Sequence, residues 1–345
     1  EFFAAPWPAD PRMTDDGRPI LDTFPNPAGS SMLRVYLQTM AGHTRGFGNN
    51  VAVYFGFDGP LQKVRLPAVP LDSLDSDARA FLIGVSPGAD RGRRIPVQVR
   101  WLSRERQFTQ AHTLVIRSIS GFPLRAASRY AAVVLRSVND PDGQPLGSPS
   151  DFERTKLQTR PGDGDLAAWW DALRPAYDLL EEEGIARIDI AACTLFTTSD
   201  PLEDQRRLID WLGEQPPSAL AGFRRLADKT DLYRFEAMLD LPEFQAGTPP
   251  QYSDGGGFVF DSDNLPVVQR TPTVPVVLAV PRGQPPESGW PVVLYAHGTG
   301  GDRNSFINSS DDVADKLARR GMASVSLDQP LHGARNPTGA DPNYT

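Results

Sequence analysis

Cysteine is almost missing from this 345-residue sequence, where Cys193 stands alone. No disulfide can form within the chain, and a Cys–His zinc site would lack ligands. The flanks of Cys193, Ile190-Ala191-Ala192 and Thr194-Leu195-Phe196, read as a buried strand, which makes the thiol a small core hydrophobe. A basic surplus is missing as well: 35 Lys and Arg face 43 Asp and Glu, for a net charge of −8. Nucleic-acid binding needs clustered cations that displace counterions, so it is set aside. No run approaches the roughly 18–20 apolar residues of a membrane-spanning helix. There are four histidines. Of these, His43 sits in a glycine-rich loop and His112 beside a strand, with no paired ligand at metal spacing. An initiator methionine is absent: the chain opens Glu1-Phe2-Phe3, as expected of a mature form whose targeting segment has been removed, and export is the expectation. There is no internal repeat, no low-complexity tract and no cofactor motif. Gly298-Thr-Gly-Gly-Asp-Arg-Asn-Ser305 has neither the Gly-Lys-Ser/Thr ending of a phosphate loop nor dinucleotide glycine spacing.

What is present is the balance of a folded protein, 40% apolar and 23% charged, on a chain too long for one compact core. The 33 Pro and 30 Gly point to many turns and strand ends. Residues 1–48 read as an extended, proline-rich arm whose Phe and Trp seek burial, followed by a short helix with Leu33, Tyr36, Leu37 and Met40 at helical spacing. Over 49–160 strand signals dominate: Val51–Phe55, Ala80–Ile83, Ile95–Trp101, Thr113–Ile116 and Tyr130–Leu135. Short strands separated by Gly and Pro predict a β-sandwich. Over 161–230 a helical stripe of Leu166, Trp169, Trp170, Leu173, Tyr177 and Leu180 ends at Gly184. A strand at Ile188–Phe196 follows, then a helix with Pro201 in its first turn, the whole packing on the sandwich. Over 231–345 strands are predicted at Tyr233–Leu239, Phe258–Phe260, Val274–Val280, Val292–Ala296 and Ala323–Leu327. A helix around Asp311–Arg320, capped by Ser310, turns Val313 and Leu317 inward and stops at Gly321, giving a βαβ unit and a parallel sheet. The long loop is Gln245–Gly257.

The chemistry concentrates where Pro291-Val-Val-Leu-Tyr-Ala-His297 runs into Gly298-Thr299-Gly300-Gly301. A glycine-rich turn there frees backbone N–H groups from sheet pairing and lets them face a pocket, as the oxyanion of an acyl-transfer intermediate requires. The competing structural reading is a tight turn and nothing more. Gly84-Val85-Ser86-Pro87-Gly88 matches the Gly-x-Ser-x-Gly nucleophile elbow by letter, but the next segment leads to another strand instead of the helix an elbow needs.

The strand and His-Gly-x-Gly-Gly turn resemble the oxyanion loop of α/β-hydrolases, which follows the third sheet strand. Val325-Ser-Leu-Asp328-Gln-Pro-Leu-His332-Gly333-Ala-Arg335 resembles the fourth strand and its loop. Ser120-Gly-Phe-Pro-Leu124, Ser128–Val134 and the turn Asp140-Pro-Asp-Gly143 resemble Ig-like modules of exported bacterial proteins. Leu241–Gln245, Gly255–Gly257 and Val268–Arg270 look like large bacterial extracellular lipases or esterases carrying such a module. These resemblances imply a mixed fold, an N-terminal Ig-like β-sandwich with added helices followed by the first half of an α/β-hydrolase sheet. They imply a secreted or cell-surface serine hydrolase acting on carboxylic esters. Its oxyanion loop would be His297, Gly298, Thr299 and Gly300, with Thr299 N–H the donor, and His332 would shape the pocket floor. The Gly-x-Ser-x-Gly match also comes before that loop, whereas the superfamily's nucleophile follows it. The fifth strand and the Ser, Asp or Glu, and His would come from a partner segment beyond Thr345 or from a second chain, lying beside Val292–Tyr295. The alternatives are a noncatalytic binding protein with a degenerate hydrolase domain, and an amidase, peptidase or acyltransferase of the same fold.

Overall fold

The computed structural model describes residues 2–162, 164–248, 256–336 and 339. The class is mixed, with antiparallel sheets and several helices, in two compact units, Glu1–Pro201 and Leu202–Thr345.

In the first unit, α1 (Ser31–His43) precedes β1 (Ala52–Gly56), β2 (Ala80–Gly84), β3 (Arg94–Ile95), β4 (Val97–Leu102), β5 (Thr113–Ser118) and β6 (Arg129–Leu135). Helices α2 (Ser150–Thr155) and α3 (Gly164–Glu182) and strand β7 (Ile190–Thr197) complete it. Two antiparallel sheets form, ordered β1-β5-β4 and β3-β2-β6-β7. Alternation in the first sheet turns Val53, Phe55, Leu114 and Ile116 inward, where they meet Leu82, Ala132, Val134 and Phe196 of the second. The far face of the second sheet, with Phe81, Ile83, Val133, Cys193 and Leu195, packs on Leu173, Ala176, Tyr177 and Leu180 of α3. A sheet covered on both faces explains why β6 and β7 read as unbroken apolar runs. The segment predicted as one strand at Ile95–Trp101 changes sheets: β3 pairs with β2 and β4 with β5. Pro96, which has no N–H to donate, occupies the corner.

The proline-rich arm is part of this core. Phe2, Phe3, Trp7 and Leu21 are buried in it. Trp7 and Tyr54 exchange two backbone hydrogen bonds of 3.2 and 2.7 Å. Asp10 fastens the arm to β7 by accepting from Thr197 N–H at 2.6 Å and Thr197 Oγ1 at 2.9 Å. The compact units meet at 201/202, whereas the sequence reading put breaks at 48, 160 and 230. β7 is the edge of the second sheet, and a local apolar pattern cannot reveal which distant strand it joins.

The second unit contains α4 (Glu203–Glu214), β8 (Ala221–Arg225), β9 (Leu232–Asp240), β10 (Thr273–Pro281), β11 (Val292–Tyr295), α5 (Val313–Ala318) and β12 (Ala323–Leu327). Its sheet is ordered β11-β12-β10-β9-β8. The predicted βαβ unit is present, since β11 and β12 pair in parallel with α5 between them in sequence. The expected parallel sheet is otherwise corrected, because β12, β10, β9 and β8 pair antiparallel. Phe258–Phe260 is not a sheet strand: it makes isolated bridges from Phe258 to Gln245 and from Phe260 to Pro266, around a turn in which Asp261 Oδ1 accepts from Asp263 N–H and Leu265 N–H. Asp312, not Ser310, caps α5, and its inward residues are Ala314 and Ala318 while Val313 faces out. Gly321, at a φ of +70°, ends that turn as predicted. Pro201 lies ahead of α4, whose N-cap is Leu202. Of the predicted loop Gln245–Gly257, residues 249–255 lie outside the described residues, as does Thr345.

Candidate active site

β11 carries the chain from the sheet edge to His297, which is buried, and then to Gly298, Thr299 and Gly300, which are exposed. The turn is held from below. Phe306 and Ile307 are fully buried with Leu232, Val277, Ala279, Ala314 and Ala318, and the Phe306 ring stacks on Tyr295 at 5.5 Å. Residues 301–305 are therefore anchored at both ends.

Two histidines tie this turn to the loop after β12. His297 Nε2 accepts from Gln329 N–H at 3.0 Å, so the ring proton sits on Nδ1, which donates to Gly298 O at 2.9 Å. His332 Nε2 accepts from Gly300 N–H at 3.1 Å, and its Nδ1 donates to Pro330 O at 2.9 Å. The rings meet edge to face, centroids 5.0 Å apart. Gly300 N–H is occupied by His332, and Gly301 N–H bonds Gly298 O at 3.0 Å. Thr299 N–H finds no acceptor among the described residues. An exposed backbone donor at the end of a parallel strand, its neighbours fixed, is preorganised to receive an anionic oxygen.

Sequence reasoning missed the charged cluster underneath. Asp328 is fully buried. Its carboxylate accepts from Arg303 N–H at 2.8 Å, Arg303 Nη1 at 2.6 Å and Ala334 N–H at 2.8 Å. The Arg303 guanidinium also lies 3.5 Å from Glu236 on β9. Gly333 covers the carboxylate at a φ of +50°, and a side chain there would collide with it. The signal was an aspartate ending an apolar strand, five residues before a glycine, but nothing local says that a carboxylate will be buried with an arginine from the preceding loop.

Ser86 lacks the following helix of a nucleophile elbow, as the sequence reading expected. It follows β2 with no helix after it, and its Oγ accepts from Arg129 N–H at 2.7 Å. His112 stacks on Trp101 at 5.9 Å, and His43 closes α1. Among the described residues there is no group of three His, Cys, Asp or Glu side chains placed to hold a metal ion, and no helix long and apolar enough to cross a membrane. Compared with family models, curated proteins and solved structures, the chain matches none.

Proposed function

We propose that the second unit supplies the first sheet strands and the oxyanion loop of an exported bacterial serine hydrolase that cleaves carboxylic esters. The observation that carries the reading is the unpaired, exposed Thr299 N–H at the end of β11. The serine hydroxyl of the completed enzyme attacks the ester carbonyl, a histidine takes its proton, and the carbonyl oxygen becomes negative within reach of Thr299 N–H.

Sheet order supports the same reading. β11 has β12 on one side and no strand on the other among the described residues, and its Val292 and Leu294 are 66% and 65% exposed. An open apolar edge is an aggregation liability unless covered. A nucleophile-bearing strand added beside β11 removes it and brings a serine next to Thr299. The first unit, two packed antiparallel sheets backed by α3, fits an Ig-like accessory module with added helices.

The reading is tested on native material containing this chain, with a fluorophosphonate probe and parallel ester and amide panels. Labelling of a serine in the same polypeptide or a tightly associated one, with turnover of esters, is expected. Absence of both labelling and ester turnover overturns the proposal, and preference for amides moves it to an amidase or peptidase.

A further inference from the structure

The outer face of the β1-β5-β4 sheet holds a charge pattern that the hydrolase reading does not use. Register sets Ala52, Arg117 and Gln98 in one row across the three strands, and Tyr54, Val115 and Arg100 in the next. Side chains alternate along a strand, and Val53, Phe55, Leu114 and Ile116 fill the core, so these rows face outward. The turn 106–109, closed by Arg106 N–H to Thr109 O at 2.8 Å, lines the same open cleft of about 490 Å³ with Arg106, Gln107 and Phe108. Arg100 and Arg117 are exposed diagonal neighbours on adjacent strands, roughly 7–8 Å apart. None of Arg100, Arg106 and Arg117 has an ion-pair partner among the described residues, although the chain carries a net charge of −8. Glu105, in the neighbouring cleft, does not line this one.

We infer that this face binds an anionic glycan whose sugars carry carboxylates. Guanidinium groups match carboxylates with paired, parallel N–H donors. Tyr54 and Phe108, both partly exposed and lining the cleft, are aromatic residues suited to the apolar side of a sugar ring, and the Gln98 and Gln107 amides suit hydroxyls. The open cleft suits a chain laid across the sheet. Glycan hydroxyls and ring faces match the amides and aromatics, which a phosphate polymer would leave unused. The inference is independent of the hydrolase reading.

The test measures binding of the intact protein to polygalacturonate, with the fully methyl-esterified polymer and inorganic polyphosphate as the other arms. Polygalacturonate is expected to bind, more weakly as salt rises. Arg100→Gln/Arg117→Gln removes two charged contacts and is expected to weaken it by at least about tenfold, the effect of losing even one of them. Its thermal melt should be unchanged, since both side chains are exposed, and Arg104→Gln, outside the cleft, should bind as the parent does. Lack of polygalacturonate binding, equal binding by the double variant, equal binding of the methyl-esterified polymer, or tighter binding of polyphosphate would each overturn the inference.

Discussion

Cys193 and Asp328 are both sealed in the interior, with opposite consequences. Burial pushes the Cys193 thiol up to about 12, so at neutral pH it is neither thiolate nor accessible. A disulfide reagent should leave the native protein unlabelled and titrate one thiol only after denaturation; rapid native labelling would place the residue elsewhere. Asp328 is a buried charge whose removal leaves the Arg303 guanidinium without its closest partner. Asp328→Ala should cost about 3–5 kcal/mol in denaturant unfolding, the range for breaking a buried pair from one side. Glu236, nearer the surface, contributes to the pH dependence. Its hydrogen bond to Arg224, the charge of Arg224 and the neighbouring Arg303 hold its carboxyl below the usual range. A depressed folded value means stabilisation that is full above the unfolded value of about 4.3 and is lost as pH falls through the folded one. The urea midpoint should drop on acidification, and less steeply in Glu236→Gln. The glycines and His297 were visible in the sequence because they are a local pattern; the burial of Asp328 was not, because its partners come from the 301–305 loop and residues 333–334.

Elements with a strong period were legible: α1, the α3 stripe ending at Gly184, and the apolar runs of β2, β6, β7, β10 and β12 all lie close to where periodicity put them. β8 was missed because each of its residues is exposed, leaving no alternation to read. α5 was located but rotated, since Ala314 and Ala318 give a weaker apolar signal than Val313 and Leu317 and yet are the pair small enough to lie against the sheet. The arm shows the opposite case, where proline hid how much of the segment belongs to the core. Trp7→Ala should destabilise the first unit by about 3–5 kcal/mol, measured by chemical denaturation. The β11 edge makes a prediction of its own. Val292 and Leu294, two residues apart, share a sheet face. Val292→Lys/Leu294→Lys should leave the melting of this chain unaltered while abolishing ester turnover in the native material; retained turnover would mean that nothing packs there.

For the whole molecule, chain length indicated more than one core and the resemblances implied the mixed class, while the division at 201/202 came from pairings remote in sequence. Under the proposed function one donor is central: Thr299 N–H, exposed between His297 and His332, would receive the charge that develops on an ester oxygen. Thr299→Pro deletes that hydrogen at an exposed position after a permissive glycine, so it is expected to leave the fold intact. The direct measurement is kcat and KM for ester hydrolysis by the native material carrying this substitution. The account predicts a fall in kcat of about 10²–10³, the effect of losing one oxyanion donor, with KM little changed. A kcat equal to that of the parent would contradict it.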